Sequence, residues 1–159
     1  MNPAKSITFA ISAVLLASPV GVSRAADQPL LRDPGNESVR NEVLTAIHKG
    51  LDYLKSQQAE SGSWSKEDHP ALTALPMVAF LNEPTGKYRG KETPEFIKKA
   101  AGFLRSHAKP DGAIYNLGLS NYNTSVSMMA LLYLEDPKDK ELIDRARAFV
   151  VGQQASDMA

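Results

Sequence analysis

The chain has 159 residues, 18 basic and 18 acidic side chains, 43% hydrophobic residues and no cysteine, the profile of one ordinary globular domain. Balanced charge without a run of Lys or Arg leaves no electrostatic footprint for a phosphate backbone, so no nucleic acid partner is expected. Absence of cysteine removes disulfide staples, thiolate nucleophiles and thiolate metal ligands, and stability has to come from an apolar core.

Lys5 precedes the apolar run Ile7 to Ala17, which is followed by the breakers Pro19 and Gly21 and the small-x-small triplet Ser23-Arg24-Ala25. That pattern predicts a secretory signal peptide over residues 1–25, cleaved after Ala25. The run falls short of the about 20 residues a permanent span needs. The mature chain is therefore expected to be exported, periplasmic or extracellular, with no stable transmembrane span and a net charge of about −2 once Lys5 and Arg24 are gone.

A polar lead over residues 26–38, with Pro29 and Pro34, precedes a repeat region predicted over 39–159. Val43, Ile47, Leu51 and Leu54 recur at helical spacing with Arg40, Glu42, Lys49, Asp52 and Lys55 on other faces, which predicts an amphipathic helix ending near Gln58. Gly62 and a Ser-rich turn follow, and Asp68-His69-Pro70 is expected to cap and open a second helix. Ala71 to Leu81 has almost no polar face, so that helix is expected to be buried on both sides, with a kink at Pro76.

The order then repeats. Phe96, Ile97, Ala100, Phe103 and Leu104 predict an amphipathic helix, Pro110-Asp111-Gly112 a turn, and Thr124 to Leu134 a nearly all-apolar helix capped by Asn123 or Asn121. Ile47, Lys49, Tyr53 and Leu54 match Ile97, Lys99, Phe103 and Leu104 at a shift of 50, while Leu81 and Pro84 match Leu134 and Pro137 at 53. A third unit opens with Leu142, Ile143, Ala146, Phe149 and Val150, and Gln153-Gln154 stand where Gln57-Gln58 stood. The units are thus about 39–84, 92–137 and an incomplete 138–159, as in a fragment or a degenerate copy of a longer protein, and the apolar stripe of the last is expected to need a partner. Alternating amphipathic and apolar helices imply an outer layer and an inner layer around a central cavity.

Lys49-Gly50, Tyr53-Leu54, Gln58, Gly62 and Trp64 reproduce a QW motif, a basic-small pair leading to Gln-x3-Gly-x-Trp. On these residues the chain resembles the prenyltransferase and squalene oxidase repeat of the terpenoid cyclase superfamily. The resemblance spans most of residues 40–155 and implies an all-α fold, two and a half helical hairpins forming part of an α/α toroid. In the second copy Lys99-Ala100 and Phe103-Leu104 persist, with Ala108 in place of Gln and Ile114 in place of Trp. Arg145-Ala146, Phe149-Val150 and Gln154 carry the third. Gln58, with donor and acceptor, and Trp64, with a flat face and one N–H, are read as ties between repeats at a helix end, not as reactive groups.

The resemblance also sets what chemistry to look for. Cyclases of this kind use an Asp-x-Asp-Asp acid, absent here; Asp136 to Asp139 is the nearest approach and reads as a polar turn. Related prenyltransferases hold zinc with Asp, Cys and His, and complement-type toroids need Cys for a thioester. His48, His69 and His107 show no metal-ligand spacing, and Ser61-Gly62-Ser63 and Ser125-Val126-Ser127 lack a nucleophile elbow. No catalytic residue, metal or cofactor is therefore assigned. Asn36-Glu37-Ser38 and Asn123-Thr124-Ser125 match glycosylation acceptors.

One candidate site remains. In such a toroid the starts of the inner helices face the mouth of the cavity, and there stand Asp68 and His69 in one repeat and Tyr115, Asn116, Asn121, Tyr122 and Asn123 in the other. The same residues also read as caps and turns. The expected function is a non-catalytic exported scaffold that binds an apolar, isoprenoid-like ligand or a protein partner. The alternatives are a fragment of a terpene cyclase or prenyltransferase whose catalytic residues lie in a C-terminal part, and a truncated product without function.

Overall fold

The structure, a computed structural model, describes residues 36–89 and 92–156. The expected signal peptide and all but the last three residues of the lead lie outside the described residues. Within them the chain is all-helical: α1 Glu37–Ser56, α2 Ala71–Leu81, α3 Glu95–Ser106, α4 Ser120–Leu134 and α5 Lys140–Ser156, with a 3-10 turn at Pro137–Asp139. The described residues form no strand, only an isolated bridge between Ala108 and Ile114. None of the described helices is long and apolar enough to cross a membrane.

α1 begins at Glu37, two residues before the predicted boundary, with Glu37 in the first turn and Lys55 in the last, both favourable to the helix dipole. Its core-facing line is Leu44, Ile47, Leu51 and Leu54. Val43, expected on that line, is exposed on a second one. Val43 and Leu44 flank the 47–51–54 line at spacings of four and three, both compatible with the helical period, and packing leaves Leu44 half-buried and Val43 in the open.

α3 buries Ile97, Ala100, Ala101, Phe103 and Leu104. The apolar helices α2 and α4 pack side by side, and α4 also packs on α5 and α2 on α3. The α2 and α4 starts lie together, since Ala71 N–H donates to Asn123 Oδ1 (3.1 Å) and Leu117 N–H to the Asp68 carbonyl (3.0 Å). They therefore run side by side in the same sense. Phe80 of α2 gathers the rings of Trp64, Tyr88 and Phe96 at centroid distances of 5.9, 5.2 and 4.8 Å, and Met77, Leu81, Ile97, Leu104, Ile114 and Leu131 complete a fully enclosed core.

Three expectations about α2 and α4 change. α2 is not buried on both sides: Ala71, Thr73, Ala74, Met77, Phe80 and Leu81 are buried, while Leu72, Leu75 and Ala79 face outward. An all-apolar helix reads as enclosed only if neighbours surround it, and none of the described elements covers that side. α4 opens at Ser120, not Thr124, and neither Asn121 nor Asn123 caps it; the position before it is Leu119, at φ 45. Likewise neither Asp68 nor His69 caps α2 with its side chain, since the flanking residue is Pro70; the cap comes from the other repeat, through Asn123. α2 is helical on both sides of Pro76, whose missing N–H leaves the Leu72 carbonyl without its usual donor.

The two repeat shifts have a simple origin. The burial pattern of Leu72 to Leu81 recurs at Tyr122 to Leu131, a shift of 50. α4 then runs on through Leu132, Tyr133 and Leu134, nearly one more turn than α2 has. That insertion moves the following loop to a shift of 53.

Candidate functional site

The Gln58 to Trp64 segment forms a joint between hairpins. Gln58 Nε2 donates to the Gly62 carbonyl and to the Phe96 carbonyl in α3, both at 2.9 Å. Trp64 Nε1 donates to the Leu54 carbonyl at 2.6 Å, in the last turn of α1, which also accepts from Gln57 N–H at 3.0 Å. Its backbone N–H reaches Thr73 Oγ1 at 3.3 Å. The turn closes through Ala59 N–H to Ser63 O (2.8 Å) and Gly62 N–H to Ala59 O (2.9 Å). Gly62 sits at φ +91, where a β-carbon would lie 2.6 Å from the Lys99 carbonyl carbon, so only glycine suits both the dihedral and the contact.

The second joint keeps the backbone and loses the side chains. Lys109 N–H bonds Ala113 O at 2.7 Å, Gly112 N–H bonds Lys109 O at 3.0 Å, and Ile114 N–H reaches Thr124 Oγ1 at 2.9 Å. Gly112, at φ +88, lies against the Arg145 backbone as Gly62 lies against Lys99. Ala108 and Ile114 make no equivalents of the Gln58 and Trp64 bonds. His107, which stands for Gln57, donates Nδ1–H to the Phe103 carbonyl at 2.8 Å. Of the other motif residues, Leu54 is half-buried, while Lys49, Gly50 and Tyr53 are exposed and outside both joints.

The rim residues divide between structural and open positions. Asn123 is fully buried; besides holding Ala71 N–H it donates Nδ2 to the Leu119 and Gly118 carbonyls at 3.1 and 3.2 Å. His69 Nδ1 lies 3.4 Å from Asn123 Nδ2. Asp68 takes Leu117 N–H on its carbonyl, and Asn116 Nδ2 donates to the Glu67 carbonyl at 3.2 Å. These four therefore stitch the start of α2 to the start of α4. Tyr115 is half-buried with Lys109 Nζ 5.4 Å from its ring centre, while Asn121 and Tyr122 are exposed. The glycosylation match at Asn123 is closed off by its burial.

Beside that rim lies an apolar surface. Leu72 and Leu75 on α2, Tyr122 and Leu132 on α4, and Leu117 and Leu119 on the approach to α4 are all exposed. In the shared burial pattern Leu72 corresponds to Tyr122, Leu75 to Ser125 and Ala79 to Met129, so the open sides of the parallel helices point the same way. Grouped exposed apolar residues of this size mark an interaction surface more often than scattered ones do.

Sequence reasoning missed two polar clusters. The buried Glu83 carboxylate accepts from Thr85 Oγ1 (2.7 Å) and from the N–H groups of Thr85 (3.0 Å) and Lys87 (3.1 Å), and lies 2.9 Å from His48 Nε2. Burial pushes its pKa up, but the hydrogen bonds from Thr85, His48 and Lys87 outweigh burial and hold it below the ordinary glutamate value. Arg105 grips the buried Asp139 through two 2.7 Å bonds and reaches Asp136 at 3.2 Å, which gives the Asp136 to Asp139 turn a structural purpose. Neither cluster opens on the apolar face by any bond described, and the described residues hold no grouping of three His, Asp or Glu side chains that could bind a metal.

Compared with models of protein families, with curated proteins and with solved structures, the chain finds no match in any of the three.

Proposed function

We propose that this chain is an exported, non-catalytic helical-repeat scaffold whose inner helices present an apolar face to an isoprenoid-like ligand or to an apolar segment of a protein partner. The observation that carries this reading is the run of exposed apolar residues along α2 and α4, Leu72, Leu75, Tyr122 and Leu132, with Leu117 and Leu119 at its upper edge. A face that a soluble chain leaves open at a cost in hydration is a face with an occupant. The arrangement as part of an α/α toroid, with outer helices α1, α3 and α5 and inner helices α2 and α4, belongs to the same proposal. It is supported by the two glycine joints with one geometry and by the common sense of the inner pair.

The polar residues of the rim support binding over catalysis. Asn123, His69 and Asn116 are engaged through their side chains with backbone groups or with one another, and Asp68 through its main-chain carbonyl. A fragment of a terpene cyclase or prenyltransferase is the competing reading; it predicts an Asp cluster in further repeats encoded downstream of Ala159. Titration calorimetry of residues 26–159 with a farnesyl or fatty-acid probe tests the binding reading. Saturable binding that Tyr122→Ala weakens supports it, and absence of heat at millimolar probe rejects it.

A further inference from the structure

Neither α2 nor α4 carries a charge. From Ala71 to Leu81 and from Ser120 to Leu134 there is no Asp, Glu, Lys or Arg, and the residues left open on the two helices fall into two lines. Leu72, Leu75 and Ala79 follow one another at spacings of three and four, and Tyr122, Ser125, Met129 and Leu132 at three, four and three, the alternation with which one helix lies along another. Small Ala79 and Ser125 stand among larger neighbours in these lines, so the face has ridges and hollows of side-chain size. The two helices run side by side in the same sense, and Leu117 and Leu119 extend the surface on the approach to α4.

Leu72, Leu75, Leu117, Leu119, Tyr122 and Leu132 are 41, 43, 58, 64, 47 and 52% exposed. At roughly 200 Å² for a large side chain fully in the open, they present about 600 Å² of surface, the upper end of what the largest apolar patch of a monomer reaches. Two such faces together hide about 1,200 Å², the lower bound of a specific and stable interface. Charge is a usual means of selecting one partner protein over another, and these two helices offer none. A copy of the same chain needs none. An isologous interface sets one patch against its own image, an uncharged patch does so without like-charge repulsion, and the whole chain is balanced at 18 basic and 18 acidic residues.

We infer that the α2–α4 face is the interface of a homodimer, closed by a two-fold axis that sets Leu75 and its neighbours on both helices against the same face of a second copy. The inference rests on the apolar-face reading given above and names the protein partner of that face. A lipid probe and the second copy therefore compete for one surface.

Sedimentation equilibrium of residues 26–159 tests it. Twice the chain mass is expected above about 10 μM, the weak end of affinity for an interface of this size, with no larger species. Leu75→Glu on α2 or Leu132→Glu on α4 puts a carboxylate from each copy into the joined faces and raises the dissociation constant about 100-fold or more. Val43→Glu on α1, at a residue as exposed as Leu75, leaves it unchanged, and helical circular dichroism checks that each variant is folded. A monomer at every concentration up to about 1 mM overturns the proposal. The farnesyl titration then separates it from the reading beneath it: saturable heat keeps the apolar-face reading, and no heat ends both. A dimer that survives both Leu75→Glu and Leu132→Glu, or that Val43→Glu dissociates, lies on another face and overturns the proposal. Open-ended growth with concentration overturns it as well, because such a contact does not close on itself. So does a chain lengthened by further hairpins that is monomeric while its Leu75→Cys thiol resists maleimide, which assigns the face to that longer chain.

Discussion

Gly62 and Gly50 both belong to the segment whose spacing carries the family resemblance, yet their surroundings are opposite. Gly62 combines a left-handed backbone with a contact to Lys99 that leaves no room for a β-carbon, whereas Gly50 is in mid-helix with open space around it. Gly62→Ala should destabilise the chain by about 2–4 kcal/mol through strain and displacement of α3. Gly50→Ala should stabilise it by about 0.5–1 kcal/mol, the helix-propensity difference. Urea melts of the two variants followed by helical circular dichroism separate these outcomes. Gln58, Gly62 and Trp64 were legible in the sequence because their spacing is distinctive. Their partners, the Phe96 and Leu54 carbonyls, were not, since every residue carries a carbonyl. Glu83 was hidden for another reason: a lone acid in a Pro-Thr-Gly loop looks solvated until the fold turns the loop around it. With its pKa held below the free value of 4.5, its contribution to stability is present above that pH and lost as the pH falls through the lowered folded value. Glu83→Gln should therefore flatten the acid side of the stability profile below about pH 4.5, measured as melting temperature against pH, and leave its slope near neutrality unchanged.

Among the elements, helix existence and order were readable because apolar periodicity survives without knowledge of neighbours. The helix faces were not. Val43 and Leu44 are adjacent apolar residues, and only packing decides which of them the core takes. The start of α4 was misplaced because Asn123 is a capping residue type whose cap serves a different helix. Its Oδ1 satisfies Ala71 N–H across 52 positions of sequence, and no local rule carries that distance. Asn123→Ala should destabilise by about 1–3 kcal/mol, since it strands a buried donor at the start of α2. Loss of amide protection at Ala71 and Leu72 ahead of global unfolding is the measurement that checks it. Leu75 makes the opposite case. It is exposed, so Leu75→Glu should change stability by no more than about 0.5 kcal/mol, while abolishing detectable binding of an apolar probe to the α2–α4 face in the same calorimetric titration.

At the scale of the whole molecule, an all-α architecture with repeated joints follows from sequence and structure alike. The repeat period itself was legible as two numbers, 50 and 53, and the longer α4 explains why both occur. What the sequence could not convey was exposure: α2 and α4 look like core helices and form a surface, and α1 looks like an outer helix with one apolar line and has two. The proposed scaffold rests on the first of those surfaces. Photo-crosslinking of residues 26–159 with a diazirine-bearing fatty acid, read by peptide mass spectrometry, tests it most directly. The account predicts adducts concentrated on the α2 and α4 peptides that contain Leu72, Leu75, Tyr122 and Leu132, competed by excess unlabelled lipid. Adducts spread over α1, α3 and α5, or unaffected by competitor, would contradict it.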